Sequence, residues 1–495
     1  MKTGILTAAC VAALLGFGSC ANQEGPETGN GTKGESTYAS FKVSVASNGT
    51  RAEGDEGLAE EQRIAQMQLY VFAEGILEAH QTVTLDENGK TTPIKITTGE
   101  KIIYAIASPI TGESSYLTTG DPAAEIPAVV ETTKLADFQA QLFHALNTQI
   151  ADENQFVMIG RSDKVAVVKC KEAEAETKNL VKIDVDRATA KALVKYVSEG
   201  ENAVKVRETI NATFSDAKFL VAQAAKEMVM TPYNQLAQIA TGVYTPLGSK
   251  TEGNGTYGGY TAMPDVTTAT FKDACTDWSS ATKCSEFEYF AENRTENPVT
   301  GNTTFALIRL KATPDAIYSG ATANTSTNKV DLTPGNRNAS GDFWTVVKHD
   351  AKTGSLVYAS DAEYKILYFT SEAAANQYIT AAKLPSDYAA YKFTGGLVYY
   401  RVNLMTDKDS DDLSLKYRVD RNSYYQINVT DIKALGAHDG GDVVPTDPDQ
   451  PLDPEGWLVA QITVKKWTVI DMGGTVLQLS LIHISEPPRQ AEISY

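Results

Sequence analysis

Residues 37–45 read Thr37-Tyr-Ala-Ser-Phe41-Lys-Val43-Ser-Val45. In an extended chain Phe41, Val43 and Val45 fall on one side and Lys42 and Ser44 on the other, the period of a half-buried β-strand. Working outward, the same alternation returns at Met67, Leu69 and Val71, at Ile183 and Val185, at Phe219 and Val221, at Phe305 and Leu307, and at Ile427 and Val429. Turn residues separate these runs. Asp86-Glu-Asn88-Gly89 predicts a two-residue type I′ hairpin, because both central residues of that turn need positive φ. Helical spacing is confined to Leu135, Phe138, Leu142 and Leu146, and to Ser371–Leu384, where Ser371 is the cap and Pro385 the stop. Strands outnumber helices and no regular β-helix-β alternation appears. The expected class is mainly β: two antiparallel β-sandwich domains with a few short helices.

The chain has 495 residues, of which 42% are hydrophobic and 21% charged. Those fractions are globular and exclude a wholly disordered or multi-span membrane protein. With 44 basic and 62 acidic side chains the net charge is −18, which repels phosphate backbones, so no nucleic-acid partner is expected.

Lys2 and the apolar run from Ile5 to Phe17 have the length of a signal-peptide core, too short to span a bilayer. The run ends Phe17-Gly-Ser-Cys20. That resembles a bacterial lipobox, which implies cleavage before Cys20 and a lipid on its sulfur; an ordinary signal peptide is the alternative. Residues 1–19 are read as the signal and 20–51 as a tether followed by the strand above. The first sandwich is expected over 52–235 and the second over 236–440, divided where a Gly, Thr, Ser and Tyr-rich stretch interrupts the strand pattern. Residues 441–456 (GDVVPTDPDQPLDPEG) hold four Pro among Asp and read as an extended semi-rigid linker,. Residues 457–478 form a last strand segment. Leu479–Tyr495 resembles a translated sequencing adaptor and is excluded from fold reasoning.

In that last segment Ile462 and Val464 share one face, and past Lys465-Lys466 the apolar parity shifts to Trp467 and Val469. A one-residue shift inverts every side chain, so a bulge or a second short strand is expected there. An amphipathic strand on a long linker is not stable alone and has to complete a sheet, its own or a neighbour's.

The order of these features carries a family resemblance. Cys20, the 37–45 strand, the following Asn48-Gly-Thr-Arg51-Ala52, Val181–Leu193, Asn302–Ala312, Leu397–Tyr400, Val419–Val429, the Asp/Pro linker and Val464-Lys-Lys-Trp467 together resemble the Bacteroidetes fimbrillins of type V pili, and among them the Mfa-like shaft subunits. The resemblance implies transthyretin-like sandwiches and an extended C-terminal donor strand. It implies export to the outer membrane as a lipoprotein on Cys20, cleavage between Arg51 and Ala52 by an Arg-specific protease, and loss of the propeptide strand bearing Phe41, Val43 and Val45. The vacated groove would take the donor strand of another copy, with Ile462, Val464, Trp467 and Val469 in its pockets. Minor anchor and tip subunits would be further partners, and a cell-surface fimbrium supporting adhesion the destination. Arg51 also precedes the acidic Ala52–Glu61 run, a segment open to a protease; without the flanking strand and the family pattern it reads as one of many exposed basic residues.

No enzyme chemistry is legible. His80, His144, His349 and His438 lie far apart, in no metal-ligand spacing. Asp407, Asp409 and Asp411 open like a calcium loop, but Asp412 stands where Gly is needed and Arg418 where Glu is needed. No metal or other cofactor is expected. Cys275 and Cys284 fit either a small disulfide loop or two thiols. The competing function is a monomeric surface lipoprotein that binds glycan or another ligand, its last strand folded back internally. Such a binder needs a stacking platform, and of the four Trp two, Trp457 and Trp467, belong to the last segment.

Overall fold

The computed structural model describes residues 34–45, 64, 67–107, 133–139, 142–144, 151–152, 155–229, 259–261, 264–278, 286–350, 355–361, 363, 365–443, 447–452 and 458–466. Cys20, Arg51, Ala52, Cys284, Trp467, Val469 and the 479–495 segment lie outside the described residues.

The described chain is mainly β. One eight-stranded sheet runs in the order Ile76–Val83, Met67–Ala73, Gly99–Ala107, Met158–Arg161, Leu180–Arg187, Ser36–Val45, Ile94–Thr97, with Val165–Val167 added to Gly99–Ala107. Alternation explains how it packs. Leu69, Val71, Ile103, Ala105, Ile183 and Phe41 point into one core whose buried members come almost wholly from this sheet, so the sheet curls around its own interior,. The opposite face offers Tyr70, Phe72, Tyr104 and Ile106, which close on Phe138. Phe138 sits on a helix of only five residues, Leu135–Gln139. The expected continuation through Leu142 is instead a strand, Leu142–His144, paired with Glu227–Val229. A neighbouring strand that satisfies the backbone outweighs weak helical spacing.

The second region is a sandwich. One layer holds Glu288–Ala291, Thr189–Lys195, Ser423–Ile432 and Lys205–Val206, with Leu458–Lys466 on Ser423–Ile432; the other holds Lys272–Asp273, Ala212–Ala222, Phe305–Pro314 and Leu397–Asn403. Val194, Phe290 and Ile427 from the first layer meet Phe219, Ile308 and Tyr400 from the second. A six-stranded sheet, from Lys329–Pro334 to Ser355–Tyr358, adjoins it. The helix Glu372–Ala381 packs on that sheet through Ala375 and Tyr378. Ser371 caps it by accepting from the Ala374 amide at 3.2 Å, as its sequence predicts.

Most pairings are antiparallel. Among the described residues the exceptions are Ser36–Val45 on Leu180–Arg187, the pairings of Thr189–Lys195 and Lys205–Val206 with Ser423–Ile432, and single contacts at Tyr318/Phe369 and Lys195/Cys275. The expected division at 235/236 does not follow the sheets. Leu180–Arg187 belongs to the first sheet, and after Ala188 the chain enters the second sandwich as Thr189–Lys195, followed there by Ala212–Ala222. Their apolar positions suit either core, and only long-range pairing assigns them.

Candidate functional site: the leading and closing strands

The strand Ser36–Val45 is an interior strand of its sheet. On one side Ser40–Val45 pairs with Leu180–Val185, setting Phe41 beside Val181 and Val43 beside Ile183. On the other side Ser36–Ala39 pairs with Ile94–Thr97, and the ladder is extended by Gly89–Thr91. Val43 N donates to Gly89 O at 2.8 Å and Thr91 N to Phe41 O at 2.9 Å. The Asp86–Gly89 turn that delivers these groups is not the expected type I′. Gly89 takes positive φ, +72°, while Asn88 does not, and the Asp86 carboxylate accepts from the amides of Asn88 and Lys90 at 2.9 and 2.8 Å. A side chain that mimics a turn's backbone changes the turn type.

Ala39 and Phe41 are fully buried, Val43 is 4% exposed, and Val45 is partly buried. Two large apolar side chains at ~1.5–3 kcal/mol each, beside ladders on both edges, make this strand a costly one to leave empty. Polar groups pin its start. Cys170 N donates to Thr37 Oγ1 at 2.9 Å, Asn179 Nδ2 to Tyr38 O at 2.8 Å, and Cys170 Sγ to Tyr38 O at 3.2 Å. Nothing in the spacing of Thr37, Cys170 and Asn179 links them in sequence. Cys275, read above as a possible partner of Cys284, is buried in the second core.

The closing strand, Leu458–Lys466, pairs antiparallel with Ser423–Ile432 of the same chain and is an outer strand of that layer. Val464 lies opposite Tyr425, Ile462 opposite Ile427 and Leu458 opposite Ile432. Leu458 is buried, and Ala460, Ile462 and Val464 lean half-buried on the sandwich core. The strand expected to be an extended donor is here paired within its own chain. The reason is local: its apolar face matches an open edge of its own sandwich. The bulge in this pairing falls between Val429 and Asp431 on the partner strand.

The leading and closing strands are joined through one continuous run. The leading strand lies on Leu180–Arg187, which continues as Thr189–Lys195, whose neighbour Ser423–Ile432 carries the closing strand. The crossing is polar and largely buried. Arg187, fully buried, donates through Nη1 to Asn422 Oδ1 at 3.1 Å, and Asn422 Nδ2 donates to Asp186 Oδ1 at 2.7 Å. Arg421 Nε donates to Glu292 Oε2 at 2.7 Å, both side chains 2% exposed. Nearby, burial pushes the Glu288 carboxyl up to about 7, with Lys272 pulling the other way.

Of the histidines, His80 stacks on Tyr70 with ring centroids 4.4 Å apart, and burial lowers its pKa. His438 Nδ1 lies 2.5 Å from Asp442 Oδ2. Among the described residues no group of three or more His, Cys, Asp or Glu side chains could hold a metal ion.

Comparison with known proteins points the same way as the sequence pattern. Residues 391–472 match the family described as major fimbrial subunit protein type IV, fimbrillin, C-terminal. The match takes in Leu397–Asn403, Ser423–Ile432 and the closing strand. The minor fimbrium subunit Mfa1 of Porphyromonas gingivalis is 22% identical over 464 residues, covering 88% of this chain and 87% of that protein. Among solved structures, a fimbrilin (FimA) of P. gingivalis W83 is 15% identical, covering 88% of this chain and 98% of that one, with a TM-score of 0.44. The P. gingivalis fimbrial anchor protein Mfa2 is 11% identical, with 88% and 99% covered and a TM-score of 0.29. These relatives are components of fimbriae, not enzymes. Residues 391–472 thus resemble a fimbrillin C-terminal region, in a chain similar over 88% of its length to a fimbrium subunit.

Proposed function

We propose that the protein is a structural subunit of a type V fimbria that supports adhesion. It reaches the outer membrane as a lipoprotein on Cys20. An Arg-specific protease then cuts between Arg51 and Ala52, the leading strand departs, and the closing strand of another copy fills its place. Minor anchor and tip subunits would bound the filament at the cell surface. The observation that carries this reading is the leading strand itself, laddered on both edges and buried at Ala39, Phe41 and Val43. Removing such a strand uncovers an apolar groove with open backbone groups, and strand addition repairs both.

Treatment of the purified precursor with an Arg-specific protease tests it. The expected result is a subunit that begins at Ala52 and forms boiling-sensitive ladders with visible fibres. Subunits inside fibres that begin at Cys20 or Ala21 would overturn proteolytic activation. The second reading is a monomeric surface lipoprotein that binds glycan or another ligand. It is favoured by one observation, the pairing of Leu458–Lys466 with Ser423–Ile432 of its own chain. On that reading protease treatment leaves a monomer.

A further inference from the structure

The Asp/Pro segment between the second sandwich and the closing strand reads in sequence as a free leash. In the structure it is tied down at two places. The first tie begins just upstream and runs into its start. Tyr400 Oη donates to Leu435 O at 2.6 Å, Tyr399 and Ala437 exchange backbone hydrogen bonds of 3.0 Å, and Tyr358 Oη donates to Gly436 O. Val443 then buries its side chain against the outer face of the sandwich, with Leu220, Phe305 and Leu307.

The second tie lies close to the closing strand. Thr300 N donates to Gln450 O and Gly301 N to Pro448 O, both at 2.9 Å, and Thr300 Oγ1 reaches Pro448 O at 3.3 Å. The approach is close enough that a Cβ on Gly301 would stand 2.2 Å from Pro448 Cβ. Pro448 has no backbone N–H, so its carbonyl is the group it can offer, and the 299–302 turn supplies donors to it. That turn is itself braced. Asn302 Oδ1 accepts from Val299 N at 2.8 Å, Asn302 Nδ2 donates to Asn297 O at 3.0 Å, and Arg401 Nη2 donates to Thr300 O at 2.9 Å.

We infer that Thr300 and Gly301 form a fixed mooring for Pro448 and Gln450, and that the mooring holds while the closing strand is free to leave. The inference builds on the fimbrial reading but concerns the subunit's own geometry. Measured from Gly440, 18 residue steps precede Leu458, a reach of about 60 Å. Measured from the mooring, 8 steps remain, about 28 Å. A receiving groove therefore has to open within that shorter radius of Gln450, which fixes how closely two subunits sit.

Hydrogen exchange on the full precursor tests the mooring without requiring assembly. Ile462→Asp places a charge on the core-facing side of the closing strand and should lift it, so that amides 458–466 exchange about tenfold faster or more. Thr300 and Gly301 should keep wild-type protection in that variant. Gly301→Val should do the reverse, speeding exchange at Thr300 and at residue 301 by about tenfold while 458–466 stay protected. Gly441→Ala is the control, since its Cβ would meet Asp439 Oδ1 at an ordinary 3.5 Å. Loss of protection at Thr300 and Gly301 together with the closing strand would overturn the mooring. So would unchanged exchange in Gly301→Val, and that arm decides alone where Ile462→Asp does not fold. Failure of the wild type to form fibres after protease treatment would sink the fimbrial reading and leave these exchange results standing.

Discussion

Gly89 and the leading strand meet backbone to backbone: Val43 N donates to Gly89 O at 2.8 Å, and a Cβ at Gly89 would lie 2.4 Å from Val43 O. With φ at +72°, this position favours glycine twice over, for its backbone and for the strand beside it. Gly89→Ala should therefore destabilise the precursor by ~1–3 kcal/mol. The strained φ persists when the leading strand is gone, but the clash does not. Urea unfolding should show a larger loss in the precursor than in protein matured to Ala52, and equal losses would mean that the strand does not press on Gly89.

Cys170 is covered from the side of the leading strand, by Thr37 and by the carbonyl of Tyr38 3.2 Å from its sulfur. Alkylation of Cys170 by a neutral maleimide should be slow in the precursor, fast once the strand is removed, and slow again when the groove is refilled. Equal rates before and after maturation would show that this part of the strand stays in place.

How far the sequence reads depends on whether a feature is local. Alternation at Phe41, Val43 and Val45 identifies a strand that the structure buries, and Ser371 with Pro385 brackets a helix that is there. The partners of those residues are another matter. Val181 and Gly89 lie on opposite flanks of the leading strand although they are 92 residues apart in the chain, and no period joins them. The same holds for Thr189–Lys195. Its alternation marks a strand, but pairing with Ser423–Ile432 is what moves it across the expected domain division. The linker is a different case: its Pro and Asp content reads as an extended chain and gives no sign of the 299–302 turn that bonds Pro448 and Gln450.

The buried ion pair at the crossing should be hard to break and easy to replace. Glu292→Ala leaves the Arg421 guanidinium buried without its carboxylate and should cost ~3–5 kcal/mol. Replacing the pair by Leu and Met of similar volume should recover most of that, because neither charge then has to be desolvated. Thermal unfolding of the single and double variants checks this, and a double variant as unstable as the single would show that the loss is one of packing.

Glu288 should give the protein a pH dependence of definite sign. Its folded pKa, about 7, stands above the ordinary 4.5 because burial disfavours the carboxylate,. The native state then holds a proton that the unfolded state has lost, so this contribution is full below about pH 4.5 and disappears as pH rises through about 7,. Glu288→Gln keeps the shape without the charge. Relative to wild type it should gain up to roughly 3 kcal/mol at pH 8 and nothing at pH 4. A gain of the same size at both values would trace to something other than ionisation.

The closing strand separates the two functional readings, because it is held by terms that nearly cancel. Ordering nine residues costs ~9–18 kcal/mol of chain entropy. Against this stand roughly nine backbone hydrogen bonds at ~0.5–1.5 kcal/mol each and three apolar side chains, Leu458, Ile462 and Val464, at up to ~1.5–3 kcal/mol each,. A strand so balanced can leave its own sheet for a better groove, and its loss does not unfold the sandwich. Truncation after Gln450, which keeps the mooring to Thr300 and Gly301, should yield a folded monomer. Once cleaved at Arg51 it should accept the closing strand of an intact copy but offer none, so that adding it to assembling wild type shortens the fibres in proportion to the amount added. Trp467→Asp should act in the same direction through an unpaired charge carried into the groove. Fibres of full length made from the truncated protein alone, seen by negative-stain microscopy, would show that another segment makes the joint.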